Sequence, residues 1–159
     1  MDLFTSFEGR ISRKGFWLGA LGTTVISLIA GIIVLSLLPD GIVRTFVQIV
    51  LSACVIFIWS AVLVKRLHDR GKSALPWAVI FIAPGILMQV INIFKIGYSP
   101  VELAGTQIMV PGLGATIAMW VATAVALWML IELGFLKGAP GENEYGPNPL
   151  DRAVGAAAA

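Results

Sequence analysis

Four long apolar stretches, separated by short polar ones, set the pattern of this chain. The first, residues 16–38, holds no charged residue and stops at Pro39-Asp40-Gly41, a turn signal. The second, residues 46–64, is also uncharged and runs into Lys65. Residues 75–94 form the third, which contains Pro76 and Pro84 and ends before Lys95. The fourth, residues 113–136, carries a single charge, Glu132. A helix needs about 20 apolar residues to cross the hydrocarbon core of a bilayer, and each window has that length. No aqueous core in so short a chain absorbs four such segments. The pattern predicts an all-α integral membrane protein, a four-helix bundle forming one domain over residues 1–150. Residues 151–159, ending in an alanine run, are expected to be a disordered tail.

The polar edges give the expected orientation. Arg10, Arg13, Lys14, Lys65, Arg66, Arg70, Lys72, Lys137 and Arg152 fall on one side of the spans, and Arg44 and Lys95 on the other. That asymmetry predicts cytoplasmic termini and a cytoplasmic middle loop. The first stretch is too long for a signal-peptide core and no small-residue cleavage site follows it, so it is expected to remain as a span. Composition agrees: charged residues make up 13% of the chain, against about a quarter in soluble domains. Cys54 is the only cysteine, which excludes an intrachain disulfide and suggests a small buried thiol within the second span.

Small residues recur every fourth position in span one (Gly15, Gly19, Thr23, Ser27, Gly31) and in span four (Gly114, Ala118, Ala122, Ala126). Such stripes let helix backbones approach closely, so spans one and four are expected to pack along them. Ser73 is expected to cap span three, with Pro76 in its first turn. Pro84 lies deeper and predicts a kink. Gln89 and Asn92 share a face and predict hydrogen bonds across helices.

Three segments at the expected cytoplasmic rim hold most of the unusual residues. In the first, Ser12 is a natural N-cap and Trp17 suits the membrane interface. Arg13 and Lys14 stand at a helix N-terminus, where the dipole disfavours cations. Positive-inside placement accounts for them; an anionic partner is the sharper explanation. The second segment, Lys65-Arg66-Leu67-His68-Asp69-Arg70-Gly71-Lys72-Ser73, extends span two by a turn or two into water and stops at Gly71. Asp69 is spaced to pair locally with Arg66 or Lys65. His68 is the only histidine, which excludes a multi-histidine metal site within one chain. It reads as an interfacial hydrogen-bonding group, with a general base or pH sensor as the alternative. Gly71-Lys72-Ser73 is not a phosphate loop, because Arg66 stands where that motif needs glycine and no strand precedes it. The third segment, residues 138–150, is rich in Gly and Pro and predicts consecutive turns, which Tyr145 and the prolines hold against the other two segments. Glu132 lies about a turn inside span four and is expected to form an intramembrane ion pair with Arg66 or Arg13, or to snorkel. A proton relay or ligand contact is the alternative.

Three motifs carry a resemblance: Gly-Arg-Ile-Ser-Arg-Lys-x-Phe-Trp, Arg-Leu-His-Asp-Arg-Gly-Lys-Ser and Gly-x-Asn-x-Tyr-Gly-Pro-Asn-Pro. Together they are similar to the bacterial domain of unknown function 805 (DUF 805) family of small inner-membrane proteins, over most of the chain. Gly15 departs from that pattern, which more often has an acidic residue there to complete a capping box with Ser12. The resemblance implies a bacterial cytoplasmic membrane and no known activity.

The reading that follows is a non-enzymatic binding or scaffolding module. Its basic face would hold anionic lipid headgroups, a cytoplasmic protein or a second copy through Arg10, Arg13, Lys14, Arg66, His68, Asp69, Arg70, Lys72 and Tyr145. Each Lys or Arg near an anionic leaflet contributes on the order of 1 kcal/mol. A small-solute transporter or channel subunit is the second reading, and it requires oligomerisation, since four helices leave little room for a pathway. The third is a lipid-headgroup enzyme using His68, Asp69 and Glu132 as acid–base groups, although the chain lacks a second histidine and a dense carboxylate cluster. No cofactor or metal is expected. Nucleic acid is not, because the cations lie against the membrane.

Overall fold

In a computed structural model, described over residues 3–151, the apolar stretches are helices α1 (Arg13–Leu37), α2 (Ile42–Asp69), α3 (Ala74–Ile93) and α4 (Leu113–Met129). A π-helical turn, Leu130–Phe135, continues α4. All four helices are long and apolar enough to cross a membrane. Of the expected disordered tail 151–159, residues 152–159, Arg152 included, lie outside the described residues. The chain divides into two compact units, one of Met1–Ala78 with Leu130–Ala159 and the other of Val79–Met129.

In the first unit α1 packs on α2. Along much of both helices the large side chains stay exposed, Leu18, Leu21, Leu28 and Phe46 among them, as lipid-facing surfaces require. The core gathers instead at one end, where every residue from 61 to 69 of α2 is buried together with Phe16 and Leu133. Gly19 is the tight point, since a Cβ there would come within 2.7 Å of Val62. At Gly19 the small residue thus lets α1 approach α2, and the Leu130–Phe135 end of span four also meets α1, where a Cβ at Gly134 would come within 2.7 Å of Trp17. Gly31 and Gly114 have no side chain within 4 Å among the described residues. Cys54 is exposed on α2 rather than buried.

Helix α2 runs on past its apolar stretch and stops, as expected, at Gly71, which adopts φ +68°. The Gly71 amide donates to the His68 carbonyl (3.0 Å) and the Lys72 amide to the Leu67 carbonyl (2.9 Å). This Schellman pair needs a left-handed residue, which glycine supplies without strain. Ser73 does not cap α3: its hydroxyl donates to the Leu75 carbonyl. The non-helical residue inside α3 is Leu75 (φ −98°, ψ 138°), before a cis bond to Pro76, and Pro84 lies further along the same helix.

The second unit departs from the all-helical expectation. Between α3 and α4 the chain forms an antiparallel hairpin of β1 (Tyr98–Leu103) and β2 (Thr106–Pro111). Ala104 and Gly105 both take positive φ (51° and 78°), the type I′ geometry that matches strand twist. Asn92 bonds within its own connection rather than across spans, donating to the Met88 carbonyl (2.9 Å) and accepting from the Tyr98 hydroxyl (2.6 Å).

Candidate functional site

A helix ends with carbonyls that have no partner within the helix, and near a membrane these must be met by other donors. After the π turn, in which the Leu136 amide reaches back to the Ile131 carbonyl (3.2 Å), side chains from the first two rim segments supply them. Arg66 Nε donates to Leu133 O (2.6 Å), Trp17 Nε1 to Gly134 O (3.1 Å) and Arg13 to Phe135 O (3.2 Å). Arg66 Nη2 reaches Leu136 O (2.7 Å), Arg70 reaches Lys137 O, and Arg10 reaches Ala139 O (2.7 Å). The end of the last span is thus capped by four arginines that the sequence places on the basic face, Arg10, Arg13, Arg66 and Arg70, joined by Trp17. Cations at a helix C-terminus also match its dipole.

Two carboxylates organise these cations. Asp69 accepts from Arg10 (3.1 Å) and from Arg66, and all three side chains are at most 5% exposed. Glu132 accepts from Arg70 (3.0 Å) and Lys72 (2.8 Å), not from Arg66 or Arg13 as expected. Each carboxylate serves two cations, and carbonyl oxygens take up much of the surplus positive charge. Arg10 donates further to Gly141 O (2.8 Å) and Gly146 O (3.1 Å), and Arg66 to Ile11 O (3.3 Å). The local Arg66–Asp69 pair forms as its spacing suggests, while Lys65 turns away to the Leu3 carbonyl (2.8 Å).

The third segment closes over this cluster. The Ala139 amide donates to the Asp69 carbonyl (2.7 Å) and the Asn143 side chain to the His68 carbonyl (3.0 Å). Tyr145 stacks flat on His68, with ring centroids 3.8 Å apart, and His68 Nδ1 lies 3.3 Å from the Gly9 carbonyl. The Tyr145 phenol pKa is raised above its usual range by its hydrogen bond to Glu144. His68 thereby links the first segment to the third. Replacing Tyr145 with leucine removes the stack. Limited proteolysis should then cut within residues 139–147 several-fold faster, while the spans remain resistant.

Among the described residues, Arg13, Lys14 and Lys137 form no ion pair with a carboxylate. All three are exposed. They line a cavity of about 580 Å³ whose wall includes Ser12, Asn148 and Leu150, with Asp69 and Arg66 behind. Ser12 caps α1 as expected, its Oγ accepting from the Gly15 amide (3.3 Å), without an acidic residue at position 15. Arg13 and Lys14 are the first residues of α1, so the cavity combines two side-chain cations with the positive end of a helix dipole. Sequence reasoning used Lys137 only for orientation and passed over Asn148; both join the cavity because the third segment folds back. Of the other expected site residues, Arg10, Arg66, His68 and Asp69 are buried and Arg70, Lys72 and Tyr145 are half-buried. Among the described residues no group of three His, Cys, Asp or Glu is placed to hold a metal.

A family model described as a protein of unknown function (DUF805) matches residues 4–147. The uncharacterized protein YiiR of Escherichia coli K12 is 34% identical over 148 residues, covering 92% of this chain and 87% of YiiR. The inner membrane protein YhaH of the same strain is 31% identical over 97 residues, covering 58% of this chain and 76% of YhaH. No solved structure matches.

Proposed function

Because the chain belongs to the DUF805 family of proteins of unknown function, we propose that it is a non-enzymatic binding module of a bacterial inner membrane. Its rim cavity, between Arg13, Lys14 and Lys137, holds a phosphate-bearing anion at the cytoplasmic surface, with both termini on that side. The inner-membrane description of YhaH and the excess of Lys and Arg at the rim support this placement.

One observation carries the reading. Arg10, Arg66, Arg70 and Lys72 pair with two carboxylates, whereas Arg13, Lys14 and Lys137 converge on one cavity and form no ion pair with a carboxylate among the described residues. The source of the phosphate is a lipid headgroup, since the exposed apolar flank of α1, with Trp17, Leu18 and Leu21, begins beside the cavity and suits acyl chains. Acid–base catalysis by a carboxylate would require one that is free there. Asp69 reaches the cavity wall, but Arg10 and Arg66 engage both of its oxygens.

The test is native mass spectrometry of the intact protein with phosphatidylglycerol or with zwitterionic phosphatidylcholine. Retention of the anionic lipid alone is expected. Replacing Arg13, Lys14 and Lys137 by glutamine removes about 3 kcal/mol of attraction, near a hundredfold in affinity. Equal retention of both lipids, or undiminished binding by the triple variant, would sink the proposal. Retention of a protein partner or a second copy in place of lipid would redirect it.

A further inference from the structure

The hairpin is the one element that neither the spans nor the rim cavity requires. With four spans, the loop that holds it lies on the membrane side opposite the termini. Its register sorts the side chains into two faces. Val101 pairs with Ile108, Leu103 with Thr106 and Ser99 with Val110, so these six share one face. Pro100, Glu102, Gln107 and Met109 occupy the other. On the first face Val101, Leu103, Ile108 and Val110 are all exposed, by 36% to 63%. An isolated two-stranded hairpin is marginal in water, and one with an uncovered aliphatic face is more so.

We infer that residues 98–111 form a lipid-surface element whose apolar face rests in the headgroup layer of the bilayer that the helices cross. Attachment favours this occupant. Gly112 alone separates β2 from α4, and its amide donates to the Gly97 carbonyl (2.8 Å). The Tyr98 hydroxyl is fixed to Asn92 in the last turn of α3. A six-residue strand is about 20 Å long, so the whole hairpin stays within that distance of the span ends. Lys95 lies 5.2 Å from the Tyr98 ring, and Tyr with Lys is the pairing expected at a membrane surface. The strand edges are unpaired, which excludes the hydrocarbon core but suits the hydrated headgroup layer.

A second copy adding a strand is the competing occupant, and Pro100 opposes it. The pair Leu103–Thr106 closes the turn, so alternation leaves position 100 in a pair whose amides would point away from the partner strand. Proline has no amide there, and the free edge of β1 is blunted as edges usually are against association.

The experiment places single nitroxide labels on the full chain, in a Cys54→Ala background, in vesicles of phosphatidylethanolamine and phosphatidylglycerol. Labels go at Leu103→Cys and Ile108→Cys on the apolar face, and at Glu102→Cys and Gln107→Cys on the other. Collision with oxygen should exceed collision with a water-soluble nickel chelate several-fold at 103 and 108, and the order should reverse at 102 and 107. Equal access of the chelate to all four would place the hairpin in water and overturn the inference. So would exclusion of both reagents at 103 and 108 with spin–spin broadening, the sign of a second copy. All four positions are exposed, so unchanged thermal unfolding of each variant is the folding control, and each face keeps a second label if one variant fails it.

Discussion

Replacing Asp69 with alanine is expected to unfold the rim. Arg10 and Arg66 are buried on either side of this carboxylate, and the variant leaves both guanidinium groups without their counter-charge. Removing one partner of a buried ion pair typically costs about 3–5 kcal/mol, a large share of the roughly 5–15 kcal/mol that holds a domain folded. Two cations share Asp69, so the upper end of that range applies. Thermal unfolding in detergent should show the loss as a collapsed or absent transition, with the Ala139 amide losing its protection from hydrogen exchange. Asp69→Asn keeps one acceptor oxygen and should fall between wild type and alanine. A transition in Asp69→Ala within a few degrees of wild type would mean that the cluster does not hold the rim together.

The second large effect is expected at Gly138. A Cβ added there would overlap the Asp69 carboxylate, whose two oxygens are both held by arginines and have no room to withdraw. Overpacking at a rigid point costs roughly 3 kcal/mol, so Gly138→Ala should approach Asp69→Ala in severity although it adds only a methyl group. Gly141 supplies the contrast. It sits at φ +66° with open space around the position, so alanine there meets only backbone strain of about 1 kcal/mol. Differential scanning fluorimetry of the two variants separates collision from strain. Similar midpoints would contradict the packing described.

How much of this was legible follows from the range of the forces involved. Lipid imposes long uncharged helices, so the four spans stand out in the sequence. The Gly71 stop, the Ser12 cap and the Arg66–Asp69 pair are local, set by residues within four positions of each other, and they too were readable. Arg10 and Asp69 are 59 residues apart, and nothing in either segment names the other. Glu132 faced the same difficulty: four rim cations compete for it, and the Schellman turn at Gly71 decides the outcome by placing Lys72 beside Arg70. The hairpin was lost for a different reason. Its strands are short, their alternation vanishes in a membrane-length average, and Ala104-Gly105 is a weaker turn signal than Asn-Gly. The pairing within the basic face was not legible because a list of cations does not reveal which of them are already neutralised. Here the acceptors are mostly backbone carbonyls, which every sequence contains and none advertises.

The capping of the last span by residues from the first two helices bears on the order in which the protein can mature. Arg10 precedes three of its acceptors, on Ala139, Gly141 and Gly146, by 129 to 136 residues. Until they emerge, a membrane already holding three spans carries arginines that await their partners. The rim is therefore a late step, open while the spans are made and closed only once the segment after the fourth span has followed them.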